Sequence, residues 1–352
     1  MTLSRHRPSV AIVILNWNGR SLFPQFLPPI LEQSRREGIT LFVADNGSTD
    51  GSPEFLETHF PEVNLLRLDR NHGFAGGYNR ALAQIDADVF VLVNSDVEVT
   101  PGWMEPCLAL LEAHPRLAAV QPKIRSWKEK EKFEYAGAAG GFLDGLGYPF
   151  CRGRILTEVE TDLGQYDTPA SILWATGACL FIRAEAFHGA GGFDEDFFAH
   201  MEEIDLCWRL KNQGWQIRIE PASVVFHLGG ATLSYQSPRK VYLNFRNSLW
   251  MLLKNLPAGK LLPVLLPRLV LDGVAAAEFL VTGQVSAFKA VWQAHMAFYR
   301  SLHRFLKKRK ALLPLAQVNH HPEIYNGSMV WNFYVRRIRR FSQFPFHPDH
   351  DQ

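Results

Sequence analysis

The segment Val89-Phe90-Val91-Leu92-Val93-Asn94-Ser95-Asp96 decides how this chain folds. Its first five residues are all apolar, the pattern of a strand buried on both faces inside a parallel sheet. A carboxylate follows just past the carboxyl end, where open α/β sheets bind their ligands. One acid in that place can hold a divalent cation, and such a cation would neutralise a diphosphate. An aspartate there can equally cap a helix that begins near Pro101.

The same pattern recurs on the amino-terminal side. Val10 to Leu15 reads as a buried strand ending in Asn16-Trp17-Asn18-Gly19, followed by a helical pattern through about Arg36. Leu41 to Ala44 is a second strand, ending in Asp45-Asn46-Gly47-Ser48-Thr49-Asp50-Gly51-Ser52. Pro53 then suits the first turn of a helix that runs to about His59. Val63 to Leu68 is a third strand, Asn71 to Gly77 a glycine-rich loop, and Tyr78 to Ile85 a helix. This β-α alternation predicts an α/β, doubly wound, mainly parallel sheet, with its strand-end loops on one edge.

Three polar loops should therefore meet. A nucleotide needs an acceptor for its base or ribose, close backbone approach at its phosphates, and charge neutralisation. Asp45 can supply the first, Gly73, Gly76 and Gly77 the second, and Asp96 with a metal the third. Asp-Asn-Gly-Ser is also favoured turn chemistry, and the glycine loop lacks the G-x-G-x-x-G spacing of dinucleotide sites.

Farther along, the charged run Trp127 to Glu134 reads as a solvated loop and Gly137 to Gly147 as a mobile one. Trp174 to Arg183 reads as a strand, and Glu202 to Gln213 as a helix stopped by Gly214. Gln216 to Glu220 and Ser223 to Phe226 read as two short strands, with His227 after the second. Glu202, Asp205 and Arg209 share one helical face and can form an ion-pair ladder. Glu203 points elsewhere, beside Phe197-Phe198, where a partly desolvated carboxylate suits general-base work. His227, at a strand end, can be a second metal ligand beside Asp96 or a structural histidine.

Composition narrows the class. The 352 residues carry a net charge of only +2, so the chain is not an electrostatic nucleic-acid binder. Cys107, Cys151, Cys179 and Cys207 have no paired spacing, which argues against a zinc ribbon or disulfide framework and for a reducing compartment. The polar, basic start has no apolar signal core. Leu261 to Val281 comes nearest to a membrane span but carries Pro263, Pro267, Arg268, Asp272 and Glu278. From about Val241 the chain becomes helical, apolar and basic, dividing it into residues 8–240 and 241–352. Lys307-Lys308-Arg309-Lys310 and Arg336-Arg337-Ile338-Arg339-Arg340 flank apolar stretches, which suits an anionic membrane surface, packing on the first part, or a homodimer.

Seven stretches in order carry a resemblance: VAIVILNWNG (10–19), LFVADNGSTDGS (41–52), NHGFAGGYNRAL (71–82), VFVLVNSDVEV (89–99), WATGACLFIRAEAF (174–187), GGFDEDFFAHMEEIDLCWRLKNQGW (191–215) and VVFHLGGATL (224–233). Together they resemble glycosyltransferase family 2, inverting, nucleotide-sugar-dependent enzymes with the GT-A fold. Among these the chain is similar to rhamnosyltransferase-like members that build bacterial surface polysaccharides. The resemblance implies that Asn16, Asn18 and Asp45 line the base and ribose pocket, and that Asn71, Gly73 and Asn79 border the nucleotide and donor sugar. It implies that Asp96 and His227 hold Mg2+ or Mn2+ with Asn94 beside them, that Gly177 and Ala178 lie near donor and acceptor, and that Glu203 is the catalytic base. Two departures stand out: the family's D-x-D is here Asn94-Ser95-Asp96, and the base is Glu where Asp is commoner. The implied donor is dTDP-rhamnose or a UDP-sugar. The implied acceptor is a glycan or lipid-linked molecule at the cytoplasmic face of the plasma membrane. A non-catalytic nucleotide- or glycan-binding module is the alternative. A nucleotidyltransferase would need a basic, glycine-rich loop after the first strand, and this chain has none.

Overall fold

The protein is described from a computed structural model, which covers residues 8–229 and 237–346. The first half alternates β1 (Val10–Asn16), α1 (Phe23–Ser34), β2 (Ile39–Asp45), α2 (Ser52–His59), β3 (Asn64–Arg67), α3 (Gly73–Leu82) and β4 (Val89–Asn94). There follow β5 (Val97–Val99), α4 (Met104–Ala113), β6 (Leu117–Ser126), β7 (Gly141–Asp144), β8 (Pro149–Cys151), β9 (Arg154–Ile155), β10 (Glu158–Val159), β11 (Ala170–Ser171) and β12 (Cys179–Arg183). The chain continues through α5 (Ala184–Gly189), α6 (Glu202–Asn212) and β13 (Gln216–His227). It then becomes helical: α7 (Pro238–Asn255), α8 (Ala258–Val281) and α9 (Val285–Leu312), with β14 (Ile324–Tyr325) and α10 (Met329–Tyr334) after them.

The main sheet has the order β11-β13-β6-β12-β4-β1-β2-β3, with β5 against β13. Strands β3, β2, β1 and β4 are parallel. β12 runs against both β4 and β6, and β13 pairs in parallel with β6. The sheet is thus mainly parallel with an antiparallel strand beside β4. The apolar run of β4 is buried throughout, between β1 and β12, because layers cover both faces of the sheet. Its register sets Asn94 opposite Leu15, and β1 in turn sets Asn16 opposite Asp45, so the carboxyl ends of these strands form one edge.

The structure corrects several local expectations. The stretch from Gly73 to Gly77 is not a loop but the first turns of α3, buried against Leu15 and Phe198. The segment 137–147 is not a mobile loop: Ala138, Ala139, Phe142 and Leu143 are fully buried. It forms part of a second sheet, β10-β9-β8-β7-β14, which β14 completes from near the carboxyl end. The charged run is solvated only in part, since Phe133 and Glu134 are buried and the Trp127 indole donates to Glu98 at 2.7 Å. The two short strands after α6 are one strand, β13, with a bulge between Glu220 and Val224. All four cysteines are buried free thiols.

α7 is built into the body of the molecule. Leu249 to Leu253 are all buried. Trp250 stacks on Phe305 of α9 with ring centroids 4.3 Å apart, and its indole donates to Ser301 at 2.7 Å. At its carboxyl end Lys254 donates to Asp205 (2.8 Å) and Asp194 (2.7 Å), and the Asn255 amide donates to Asp205 at 2.9 Å. Arg209 completes the neutralisation of Asp205 at 2.9 Å. Asp205 and Arg209 thus form the expected ladder, but Glu202 does not join it; its Oε2 is buried with no hydrogen-bond partner among the described residues. Two buried charges held this way stabilise little on balance, yet deleting one partner strands the other.

Candidate active site

The edge begins with Asp45, which is buried and accepts from the Asn16 amide and from the Ser48 backbone N–H, both at 2.9 Å. Asn16 Oδ1 is buried with no partner among the described residues, leaving one acceptor at the floor of this corner. Asn18 adopts the left-handed conformation, φ 54°, and its Oδ1 accepts from the Thr49 N–H at 2.8 Å. The loops after β1 and β2 are therefore stitched together. Gly19 is required between them, since a methyl there would lie 2.4 Å from Asn16 Oδ1.

Asn46, to which sequence reasoning gave no role, ties this corner to α3. Its amide nitrogen donates to the Gly73 carbonyl at 3.0 Å and its oxygen accepts from the His72 N–H at 3.0 Å. Asn71 accepts from the Gly73 N–H at 2.8 Å, so it shapes the helix start. Asn79 lies two turns on, and its amide is used at both ends by Phe193, whose N–H donates to it and whose carbonyl accepts from it, each at 2.9 Å. It pins the 191–196 loop to α3, at the wall of a cleft of about 490 Å³ shared with Asp194, Lys254 and Lys308.

At the end of β4, Asp96 and His227 meet: Oδ1 and Nε2 are 3.2 Å apart, and both side chains are buried. Asn94 Nδ2 stands 3.5 Å from the same imidazole nitrogen. The Glu134 carboxylate faces the other ring nitrogen at 3.5 Å. Burial alone would lower the His227 pKa, but the acids on either side raise it to about 10. Burial likewise pushes Asp96 up, and the hydrogen bond and charge of His227 outweigh it and hold Asp96 below its ordinary value. Glu134 is the clearest residue that sequence reasoning missed; it sits at the end of a charged run that gave it no distinguishing signal.

Among the described residues no set of three or more His, Cys, Asp or Glu is placed to hold a metal ion. Asp96 and His227 converge on one point, one oxygen and one imidazole nitrogen, a donor pair that fits Mn2+ or Mg2+ when the remaining places go to phosphate oxygens and water. Such binding would compete with the His227 proton.

The second half of the site lies on the loop before α6. Phe198, His200 and Met201 all have positive φ, 65°, 70° and 72°, a left-handed run that costs energy for non-glycine residues. The loop holds it by two sets of bonds. The Phe198 carbonyl accepts from the Phe74 N–H at 2.7 Å at the start of α3, where a methyl on Gly73 would lie 2.5 Å from it. From the other side, the Asn247 amide of α7 donates to the carbonyls of Phe197, Ala199 and His200 at 2.9, 2.9 and 2.7 Å. Arg239 covers the Phe198 ring at 5.1 Å.

This turn launches α6 with Glu202 and Glu203 in its first residues. Burial drives the Glu202 carboxyl far above its ordinary range, with the Glu203 charge adding to the effect. Glu203 rises to about 7, again from burial, and the backbone N–H groups of the helix start temper the rise. Its Oε2 is buried with no hydrogen-bond partner among the described residues. Two adjacent carboxyls with separated titrations are the arrangement expected of an acid kept neutral and a base poised near neutrality. Burial lowers His200 to about 4, with Lys240 of α7 contributing; Lys240 also interacts with Glu134. The Glu203 turn and the Asp96–His227 corner therefore share a neighbour.

Polar strand-end loops, an Asp–His corner and a carboxylate with a raised pKa, set on a mainly parallel sheet with one reversed strand, are an arrangement that fits a GT-A fold. The sequence model for glycosyl transferase family 2 matches residues 10–188, and this chain belongs to that family. It is 32% identical over 207 residues to an N-acetylglucosaminyl-diphospho-decaprenol L-rhamnosyltransferase of Mycobacterium tuberculosis, covering 54% of this chain and 66% of that protein. It is 30% identical over 196 residues to a pre-mycofactocin glycosyltransferase of the same species, covering 54% and 37%. The chain thus spans only part of each relative's length. Among solved structures, GalNAc-T7 with UDP, GalNAc and Mn2+ superposes with a TM-score of 0.55 at 16% identity over 71% of this chain and 48% of that one. Residues 1–349 of Staphylococcus aureus TarS with UDP-GlcNAc give 0.53 at 15% identity, over 86% and 91%. These likenesses establish the fold.

Proposed function

We propose that this chain is an inverting glycosyltransferase that moves a sugar from a nucleotide-diphosphate donor, dTDP-rhamnose or a UDP-sugar, to a glycan or lipid-linked acceptor in cell-surface polysaccharide synthesis. The observation that carries it is Glu203: a part-buried glutamate whose Oε2 is shielded from solvent with no partner among the described residues, on a turn bonded to the glycine start of α3, where burial raises its pKa to about 7. The relatives' names point the same way, since one acts on a diphospho-decaprenol-linked sugar and the solved neighbours hold nucleotides.

On this reading Asn16, Asn18 and Asp45 receive the base and ribose, and Asn71, Gly73 and Asn94 border the diphosphate and donor sugar. Asn79 acts through the Phe193 loop that it clamps. Asp96 and His227 would hold Mg2+ or Mn2+, which when bound would neutralise charge on the diphosphate leaving group. Glu203 takes the proton from an acceptor hydroxyl. That oxygen forms its bond to the anomeric carbon from the side opposite the diphosphate, the carbon–oxygen bond to the diphosphate breaks, and the centre inverts. Residues 8–240 carry these groups, and α7 of the following helical part supports them. The enzyme works at the cytoplasmic face of the plasma membrane, where a lipid-linked acceptor is presented.

The test is a transfer assay over UDP-, dTDP- and GDP-sugars with manganese or magnesium, paired with thermal shifts by the free nucleotides. Transfer with inversion from one donor class, stimulated by metal, is expected. Nucleotide binding without transfer across the panel would sink the catalytic reading.

A further inference from the structure

α8 buries Arg268 and Asp272 beside Val264, Leu265 and Ala276, and turns a second apolar row outward. Arg268 and Asp272 are buried, bonded to each other at 2.8 Å, and Arg268 donates to Ser248 of α7 at 2.8 Å. On the opposite side Leu262, Leu266, Val270 and Val274 recur every four residues, and each is more than half exposed, with Val281 at 88% beyond them. The solvent face of a helix in a soluble domain is normally polar. An outward apolar stripe some five turns long marks an interaction surface.

α9 extends the stripe. His295 approaches Asp272 at 3.4 Å and so marks the side of α9 that faces α8. Helical phase then places Trp292, Tyr299 and Leu306, seven residues apart, next to α8 on the solvent side, and all three are exposed. Beyond them, farther round the helix, come Lys289, Arg300 and Lys307, also exposed. Across the whole α8–α9 hairpin, Glu278 is the one exposed acid. The surface therefore runs from apolar to aromatic to cationic, the order in which a bilayer interface runs from acyl chain to carbonyl layer to anionic headgroup. Among the described residues no helix is long and apolar enough to cross a membrane, and the buried Arg268–Asp272 pair ties α8 to the protein on its inner side.

We infer that the outer face of the α8–α9 hairpin docks the enzyme in the plane of an anionic phospholipid surface. The inference deepens the lipid-linked acceptor reading and rests on it for its purpose. A second copy of the chain is the poorer occupant, because a two-fold interface would bring each cation row toward its own copy with almost no acid to meet it. Because α7 packs on α9 and also holds the Glu203 turn through Asn247, docking of the hairpin fixes the site relative to the bilayer.

The experiment is co-sedimentation of the full chain with phosphatidylcholine vesicles, with and without about one third phosphatidylglycerol. The wild type, Leu266→Asp/Val270→Asp and Lys289→Glu/Lys307→Glu are compared at low and high salt. Binding to anionic vesicles, weakened by salt and reduced about ten-fold or more in both variants, is expected. All four residues are exposed, so the variants should melt with the wild type. Failure of the wild type to bind, or undiminished binding by the variants, overturns the docking surface. So does a wild-type dimer in light scattering that Leu266→Asp/Val270→Asp converts to monomer. Sugar transfer to a water-soluble acceptor, run in parallel, is independent of vesicles: transfer without binding refutes the surface alone, and binding without transfer refutes only the catalytic reading.

Discussion

Replacing Glu203 by Gln should do two opposite things, and the structure fixes the size of the second. Burial raises this carboxyl from 4.5 to about 7, which corresponds to about 3 kcal/mol of preference for the neutral form in the folded protein. The unfolded chain ionises the same group near its ordinary value, so wild-type stability falls as pH rises from about 4.5 to about 7 and is flat above that. Glutamine does not titrate. At pH 4 the variant and the wild type should therefore melt alike. At pH 8 the variant should be more stable by about 3 kcal/mol, or about 4 °C in a chain of this size. Turnover should fall about 100- to 10,000-fold, as general-base removal does, while affinity for the nucleotide is unchanged. The wild-type rate at saturating substrates should climb through an apparent pKa near 7. Paired melting curves and initial rates between pH 4 and 9 read all of this. Equal melting at pH 8 would refute the buried, uncompensated charge; full turnover in the variant would refute the base assignment.

Other perturbations probe the parts separately. Asp96→Asn should remove most of the manganese-dependent gain in nucleotide thermal shift while leaving the metal-free shift in place, because Asp45 and Asn16 remain. Asn247→Ala removes the amide from the carbonyls of Phe197, Ala199 and His200, of which Phe197 keeps Arg246; we expect a loss of about 1–3 kcal/mol in unfolding free energy and a fall in kcat with little change in donor KM. Lys254→Met strands Asp194 and Asp205, which Arg209 and Lys308 only partly cover, and should lower stability by about 3 kcal/mol in denaturant titration.

The parallel half of the sheet was legible because each strand is a short apolar run closed by turn chemistry, and Asn94-Ser95-Asp96 closes the most buried of them. Asp96 and His227 lie 131 residues apart with no local cue to each other, yet both end strands, and strand ends share an edge. That is why the pair could be proposed. The second sheet was hidden because its strands are two to four residues long, too short for a period to register. Glu134 was hidden by its neighbours, since a Lys-Glu alternation reads as solvent-facing unless a fold turns one member inward. The start of α3 was read as a loop because glycine has poor helix propensity; packing against Leu15 and Phe198 overrode it. Asn247 could not have been singled out, because its role depends on carbonyls some fifty residues away.

That last dependence bears on how such enzymes could be recombined. The family match ends at residue 188, and its recognisable motifs fade before α7. Even so, the turn that aims Glu203 is held by Asn247, and Asp205 in the helix behind it is neutralised by Lys254 and hydrogen-bonded by Asn255. A chimera joined at residue 240 would hand the Glu203 turn to a foreign clasp, whereas one joined after Leu256 would carry its own. The smallest piece that keeps the Glu203 turn clasped extends to the end of α7, a boundary set by hydrogen bonds and not by sequence similarity.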